Sequence, residues 1–74
     1  MAVTSPHVVK FQVYDVHDRE VWLSLAQDAE TTNRHIEIWL WDTYSAVVVD
    51  DGPGVWYVKF PDAESQCQFL LTWW

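Results

Sequence analysis

A β-hairpin and the start of a helix are encoded by residues 50–62, which read DDGPGVWYVKFPD. The glycines and proline of this stretch supply the backbone angles that a tight turn needs, so residues 46–49 and 55–60 are predicted to form two antiparallel strands. Pro61 and Asp62 then open a helix, because proline is tolerated in a first turn and an acidic side chain there complements the helix dipole. The apolar stripe of that helix is predicted at Ala63, Cys67, Leu70 or Leu71, and Trp74.

This strand-strand-helix unit has a counterpart earlier in the chain. Residues 21–40 align with residues 55–74 without a gap. The matching residues are Val21-Trp22 with Val55-Trp56, Asp28-Ala29-Glu30 with Asp62-Ala63-Glu64, and Trp39 with Trp73. Tryptophan is a rare residue, so two tryptophan columns in one register favour a duplication. We therefore expect repeat units at about 7–42 and 46–74, within a single domain spanning residues 1–74.

The first copy is predicted to contain a strand at residues 7–14, a polar turn at 15–19, a second strand at 20–25 and a helix with apolar positions from Ala29 to Thr43. Residues 35–41 fit either a helix or a strand, because their isoleucines and tryptophans also suit a strand. In that alternative the first helix lies near residues 18–30 and the element order becomes βαβββα.

Two such units predict an α+β fold, a two-layer sandwich with a four-stranded, mostly antiparallel sheet and two helices on one face, as in a permuted ferredoxin-like fold. Residues 20–25 and 55–60 would be its central strands. Their two faces carry Val21, Leu23 and Leu25 on one side and Trp22, Trp56, Val58 and Phe60 on the other. Since a monomer of this size rarely exposes such a surface, a second copy is expected to cover the sheet as a homodimer.

Charge and composition narrow the function classes. Eleven acidic against four basic residues give a net charge of −7, which disfavours direct nucleic-acid binding and suits a ligand of a basic surface, including a nucleic-acid mimic. No apolar run is long enough to span a bilayer and no signal stretch is present, so no membrane association and a cytoplasmic location are expected. The single cysteine, Cys67, agrees with a reducing compartment.

Several acidic side chains would meet at one end of the predicted sheet, because both hairpin turns precede its central strands. They are Asp15, His17, Asp18, Glu20, Asp50 and Asp51. Such a group suits a divalent cation, although acidic residues are also ordinary turn formers and no known loop spacing is present. No metal or other cofactor is therefore predicted.

Partner binding is expected from aromatic and acidic residues, namely Trp22, Trp56, Trp41, Trp74, Asp50 and Asp51. Trp39 and Trp73 are instead predicted to pack in the core because they occupy matched positions of the repeat. Catalysis is not predicted, since no nucleophile, phosphate-loop or metalloprotease motif occurs. Cys67 with His35 is the one conceivable nucleophilic pair, but the helical position of Cys67 favours a buried, inert thiol.

The C-terminal segment resembles the ending of short, uncharacterised proteins of tailed marine and cyanobacterial phages. Those endings share an apolar strand that closes on Phe, an acidic Asp-Ala helix start and a final Phe-x-Leu-x-Trp. Here the matching residues are 55–64 and 69–73, and Trp74 extends beyond them. The resemblance implies a phage origin, with the host cytoplasm as the location, and implies no chemistry.

These observations predict a small, acidic, non-enzymatic interaction protein that acts as a homodimer and binds a host or viral protein. The alternatives are a ferredoxin-like dimer that binds a small ligand or divalent metal, and a nucleic-acid mimic that acts as an inhibitor.

Overall fold

A computed structural model describes residues 7–74 as a three-stranded antiparallel sheet with three helices. The elements are β1 (Val8–Gln12), α1 (Val16–Thr31), α2 (Ile36–Tyr44), β2 (Val47–Asp50), β3 (Val55–Lys59) and α3 (Ala63–Trp73). In the strand order β1-β3-β2, β3 is central and pairs antiparallel with both neighbours. The α+β class is confirmed, whereas the four-stranded sheet with two helices, the permuted ferredoxin-like arrangement, is wrong.

The hairpin and the helix predicted from residues 50–62 are confirmed, except that the helix begins at Ala63 and Pro61 precedes its N-cap instead of lying in its first turn. The Asp50 carboxylate accepts from the Gly52 N–H at 3.1 Å, and Gly52 and Gly54 both have positive φ, at 109° and 73°. Asp62 caps α3 by accepting a 2.8 Å hydrogen bond from the Ser65 N–H. Turn geometry and capping chemistry are local, so a short sequence specifies both.

The inward face of α3 differs from the predicted stripe by one residue. Phe69 is fully buried, and Leu70 and Trp73 pack against the core. Ala63, Cys67, Leu71 and Trp74 are exposed. The stripe prediction is therefore confirmed at Leu70 and wrong at its other positions, including the expected burial of Cys67, because helical spacing also fitted a register shifted by one position.

The second strand predicted at residues 20–25 is wrong, because this segment lies inside α1. Asp15 is the N-cap of that helix and accepts from the Asp18 N–H at 3.1 Å, so residues 15–19 begin a helix instead of closing a hairpin. Val21, Leu25 and Ala29 are buried at helical spacing, whereas Leu23 is 60% exposed. The apolar alternation at residues 21–25 therefore reflects a helix that leaves one leucine in solvent.

The helix predicted across residues 29–43 is interrupted. Asn33 adopts φ 58° after α1, and the Nδ1 of His35 accepts from the Glu37 N–H at 3.3 Å as α2 begins. The alternative that made residues 35–41 a strand is wrong, although its first helix at 18–30 falls within α1. The ββα duplication is wrong as well, since Val21-Trp22 is helical and Val55-Trp56 is extended.

All three helices contribute to one core on a single side of the sheet. From the strands and the residue after β3 the core takes Val9, Phe11, Val58 and Phe60, and from the helices it takes Val21, Leu25, Ala29, Trp39, Leu40 and Phe69. Trp56, Val58 and Phe60 thus face the helices, and they no longer support an apolar second face that a dimer must cover. Among residues 7–74, no helix is both long and apolar enough to cross a bilayer.

Candidate interaction surface

No helix of residues 7–74 covers the second face of the sheet. Strand alternation places on it Val8, Lys10 and Gln12 of β1, Val47 and Val49 of β2, and Val55, Tyr57 and Lys59 of β3, which we call the open face. None of these residues is buried. Tyr57 is central, because its register partners are Lys10 on one side and Val49 on the other.

Basic charge is concentrated on the open face. Lys10 and Lys59 are two of only four basic residues in the chain. Neither lysine pairs with a carboxylate of residues 7–74, where the one ion pair is Arg34 with Asp42. The strand residues of this face include no acid, and Asp51 lies just beyond its hairpin end. The open face is therefore locally positive on a chain of net charge −7.

The outer edge of β1 is partly closed by the chain itself. Just beyond the end of β1, the Val13 N–H donates to the Gly54 carbonyl, which precedes β3. The odd-numbered residues of β1 therefore direct their peptide groups toward β3, and the even-numbered residues direct theirs outward. The Val8 carbonyl accepts from Gln66 Nε2 at 3.0 Å, and the Gln12 N–H donates to Asp18 at 2.9 Å. Side chains of α3 and α1 thus occupy both ends of this edge.

In the described part of the chain, the outer edge of β2 has no such cover. The Asp51 N–H bonds to Val55, so odd-numbered residues face β3, and Val48 and Asp50 direct their N–H and C=O groups outward. No residue within 7–74 supplies these groups with a partner. A strand of three valines with an unpaired edge is a template for another strand.

Three of the predicted partner-binding tryptophans form an aromatic cluster around buried Phe11. The ring centroids of Trp22, Trp56 and Trp74 lie 5.1, 5.9 and 5.5 Å from that of Phe11. Trp22 and Trp56 also contact each other at 5.1 Å. Trp74 remains 45% exposed and contacts the His17 ring at 4.9 Å. Because these rings fill one another's space, their first role is packing.

The remaining tryptophans separate into core and surface. Trp39 is buried and contacts Trp73 at 5.9 Å, and Trp73 Nε1 donates a 3.0 Å hydrogen bond to the Tyr44 hydroxyl. The core prediction for these two is confirmed. Trp41 is 57% exposed on α2, the helix that lies beside β2.

The acidic residues predicted to converge are carried by two segments that meet at one end of the sheet, where the Val13 N–H bonds to the Gly54 carbonyl, but several of these acids are engaged in local hydrogen bonds. Asp15 and Asp18 are used within the β1–α1 junction, and Asp50 is used within the β2–β3 turn. Within the described part of the chain, no group of three or more histidine, cysteine or acidic side chains is placed to hold a metal ion. Cys67 is exposed on α3, while His35 caps α2, and no contact joins them.

Comparisons with protein-family models, with curated proteins and with solved structures give no match for this chain. The resemblance to phage proteins therefore stays a prediction.

The sequence prediction did not identify the residues of the open face or the pairing of β1 with β3. The alternation of Val9 and Phe11 with Lys10 and Gln12 already indicated which β1 side chains face outward. With residues 55–60 central, the predicted sheet also has residues 46–49 at an edge, as observed, but the strand predicted at 20–25 takes the place beside β3 that β1 occupies.

Proposed function

We propose that this chain is a non-enzymatic protein-interaction module that works as a homodimer, with two copies joined edge to edge through β2. The observation that carries the proposal is that the outer edge of β2 is unpaired among residues 7–74, whereas the opposite edge of the sheet, on β1, is partly closed. The dimer would present one continuous sheet whose open faces lie on the same side, and a host or viral protein would bind there. We place this activity in the cytoplasm.

Antiparallel pairing centred on Val48 suits the residues of this strand. It brings Val48 opposite its own copy, so each N–H reaches the other's C=O, and it sets Val47 opposite the second copy's Val49. Asp50 and Asp51 then lie at the outer ends of the ladder, where water and salt screen their charge. The arrangement is isologous and closes at two copies.

The α2 helix adds apolar surface at the same border. It packs beside β2 and exposes Ile38 and Trp41. A second copy joined at the β2 edge has its own α2 next to this one, which gives exposed Trp41 an apolar environment. Each interchain hydrogen bond contributes about 0.5–1.5 kcal/mol net, so a short ladder with this flank supports a moderate, concentration-dependent dimer.

The proposal is tested by sedimentation velocity from micromolar to millimolar concentration. The wild-type chain is expected to shift from one copy to two copies as concentration rises. Val48→Pro removes an outward N–H that β3 does not use and is expected to keep the chain monomeric. Trp41→Ala is expected to weaken association by about tenfold.

Lys10→Pro is the matched control, because it removes an outward N–H from the opposite edge of the sheet. Its association is expected to equal that of the wild type, and circular dichroism with thermal unfolding verifies that each variant folds. A wild-type chain that stays monomeric across the range contradicts the proposal, as does loss of the dimer in Lys10→Pro but not in Val48→Pro.

A further inference from the structure

We infer that the open face binds an acidic amphipathic helix of a partner protein. The inference deepens the proposed interaction function by naming the partner's chemistry, and it applies to each copy of the chain whether or not the copies are joined. It rests on the composition of the open face and on where the chain places its charges.

The apolar part of the open face fits a helix. Tyr57 stands at its centre, with Val49 beside it in the register and Val55 next along the same face of β3. Helices pack on sheets through such aliphatic and aromatic rows, as the three helices of this chain do on the other side. The open face thus offers an apolar floor without a cover among residues 7–74.

The two lysines define the charge of the occupant. Lys10 is opposite Tyr57 and Lys59 is two residues further along β3, which makes the lysines diagonal neighbours about 7–8 Å apart. Carboxylates one turn apart on a helix are separated by about 5–6 Å, a distance that long lysine side chains accommodate. A helix with Glu or Asp at positions i and i+4 beside its apolar stripe therefore satisfies both ammonium groups.

The same charges disfavour two other occupants. A second copy stacked face to face would set Lys10 and Lys59 against the same lysines, with no strand carboxylate between them. A nucleic acid would meet only two phosphate-binding side chains here, too few to neutralise a run of backbone phosphates. An acidic helix gains from the lysines and covers the valines that a phosphate backbone leaves exposed.

The test uses three fluorescent probes and measures anisotropy at physiological ionic strength. Two probes are helical peptides with one leucine stripe, flanked by glutamates in the first and by lysines in the second, and the third is an oligothymidylate. The Debye length is then about 8 Å, so charges of the open face act on a bound probe while distant acids are screened. The glutamate peptide is expected to bind at least about tenfold more tightly than either other probe.

Charge reversal supplies the matched comparison. Lys10→Glu with Lys59→Glu is expected to weaken the glutamate peptide by about tenfold or more and to favour the lysine peptide. Arg19→Glu with Arg34→Glu changes the net charge equally away from the open face and is expected to have a much smaller effect. Equal losses in the two double variants, tighter binding of the oligothymidylate, or no binding of the glutamate peptide would overturn the inference.

The monomeric Val48→Pro variant separates this inference from the proposed dimer. It is expected to bind the glutamate peptide with the wild-type affinity per chain, because the probe contacts one open face. Peptide binding by a chain that never dimerises would support the inference while contradicting the dimer, and dimerisation without peptide binding would do the reverse.

Discussion

The buried carboxylate of Asp18 accepts a 2.9 Å hydrogen bond from the backbone N–H of Gln12, which joins the first turn of α1 to the outer edge of β1. Asp18 is only 7% exposed, and its own N–H donates to Asp15. These two bonds fix the short connection between the end of β1 and the start of α1. This acid also protects part of an edge that a foreign strand could otherwise pair with.

Replacing Asp18 with alanine is expected to destabilise the fold by about 1–3 kcal/mol, because it leaves the Gln12 N–H without its acceptor. Urea unfolding gives the change in free energy. Asp28→Ala, which removes an exposed acid from the same helix, is the control and is expected to stay within about 0.5 kcal/mol of wild type. Equal effects from the two variants would show that the bond to Gln12 contributes nothing.

Gly54 is expected to tolerate no side chain. A Cβ there would lie 2.5 Å from Val13 Cγ1, and the φ of 73° disfavours an L-residue in any case. Gly54→Ala should cost more than the roughly 1 kcal/mol of a left-handed alanine alone. Thermal unfolding measures the loss, and Val13→Ala in the same chain should restore the part due to the contact. An unchanged loss in the double variant would assign the whole effect to φ.

The fold was predictable where local chemistry is unambiguous. The turn at residues 50–54 and the cap at Asp62 depend on neighbours in sequence, so the sequence predicts the bounds of β2, β3 and α3 closely. Residues 20–25 are predicted as a strand because Val21, Leu23 and Leu25 alternate as strand residues do. In the structure Asp15 caps a helix there, and Asp18 of its first turn bonds to Gln12 of the preceding strand, neither of which the apolar alternation reveals.

The tryptophans aligned between the two predicted repeats are in contact in the fold, but the alignment does not predict the secondary structure that carries them. Trp22 with Trp56, and Trp39 with Trp73, are aligned pairs, and each pair is in contact in the fold. The elements that carry Trp22 and Trp56 nevertheless differ, one a helix and the other a strand. Aromatic residues contact across any pair of packed elements, so their spacing in sequence cannot distinguish a duplicated strand from a helix on a sheet.

Asp62 is expected to give the stability a pH dependence at acidic pH. The backbone N–H of Ser65, bonded to the charged carboxylate, lowers the pKa of Asp62 in the folded chain. Because the folded pKa lies below the unfolded one, the stabilisation is complete above the unfolded pKa, near 3.9, and is lost as pH falls through the folded pKa.

Unfolding curves collected between neutral and strongly acidic pH test this expectation. Asp62→Asn should be less stable than wild type at neutral pH, and the difference should shrink as pH falls through the folded pKa. Asp28→Asn controls for the loss of one negative charge. A difference between wild type and Asp62→Asn that is constant over the whole pH range would contradict the role of the charged cap.

Two tryptophans of the core should respond differently to phenylalanine. Trp56 Nε1 is buried without a hydrogen-bond partner among residues 7–74, whereas Trp73 Nε1 donates to Tyr44. An unpaired buried donor is costly, so Trp56→Phe removes a penalty along with ring area, while Trp73→Phe removes ring area and a satisfied bond. We expect Trp73→Phe to be the more destabilising by about 1 kcal/mol, measured from guanidinium unfolding.

Tyr44→Phe combined with Trp73→Phe should recover part of that loss, because neither partner is then left unpaired. An equal or larger loss in Trp56→Phe would show that its indole N–H is satisfied, for example by a bound water.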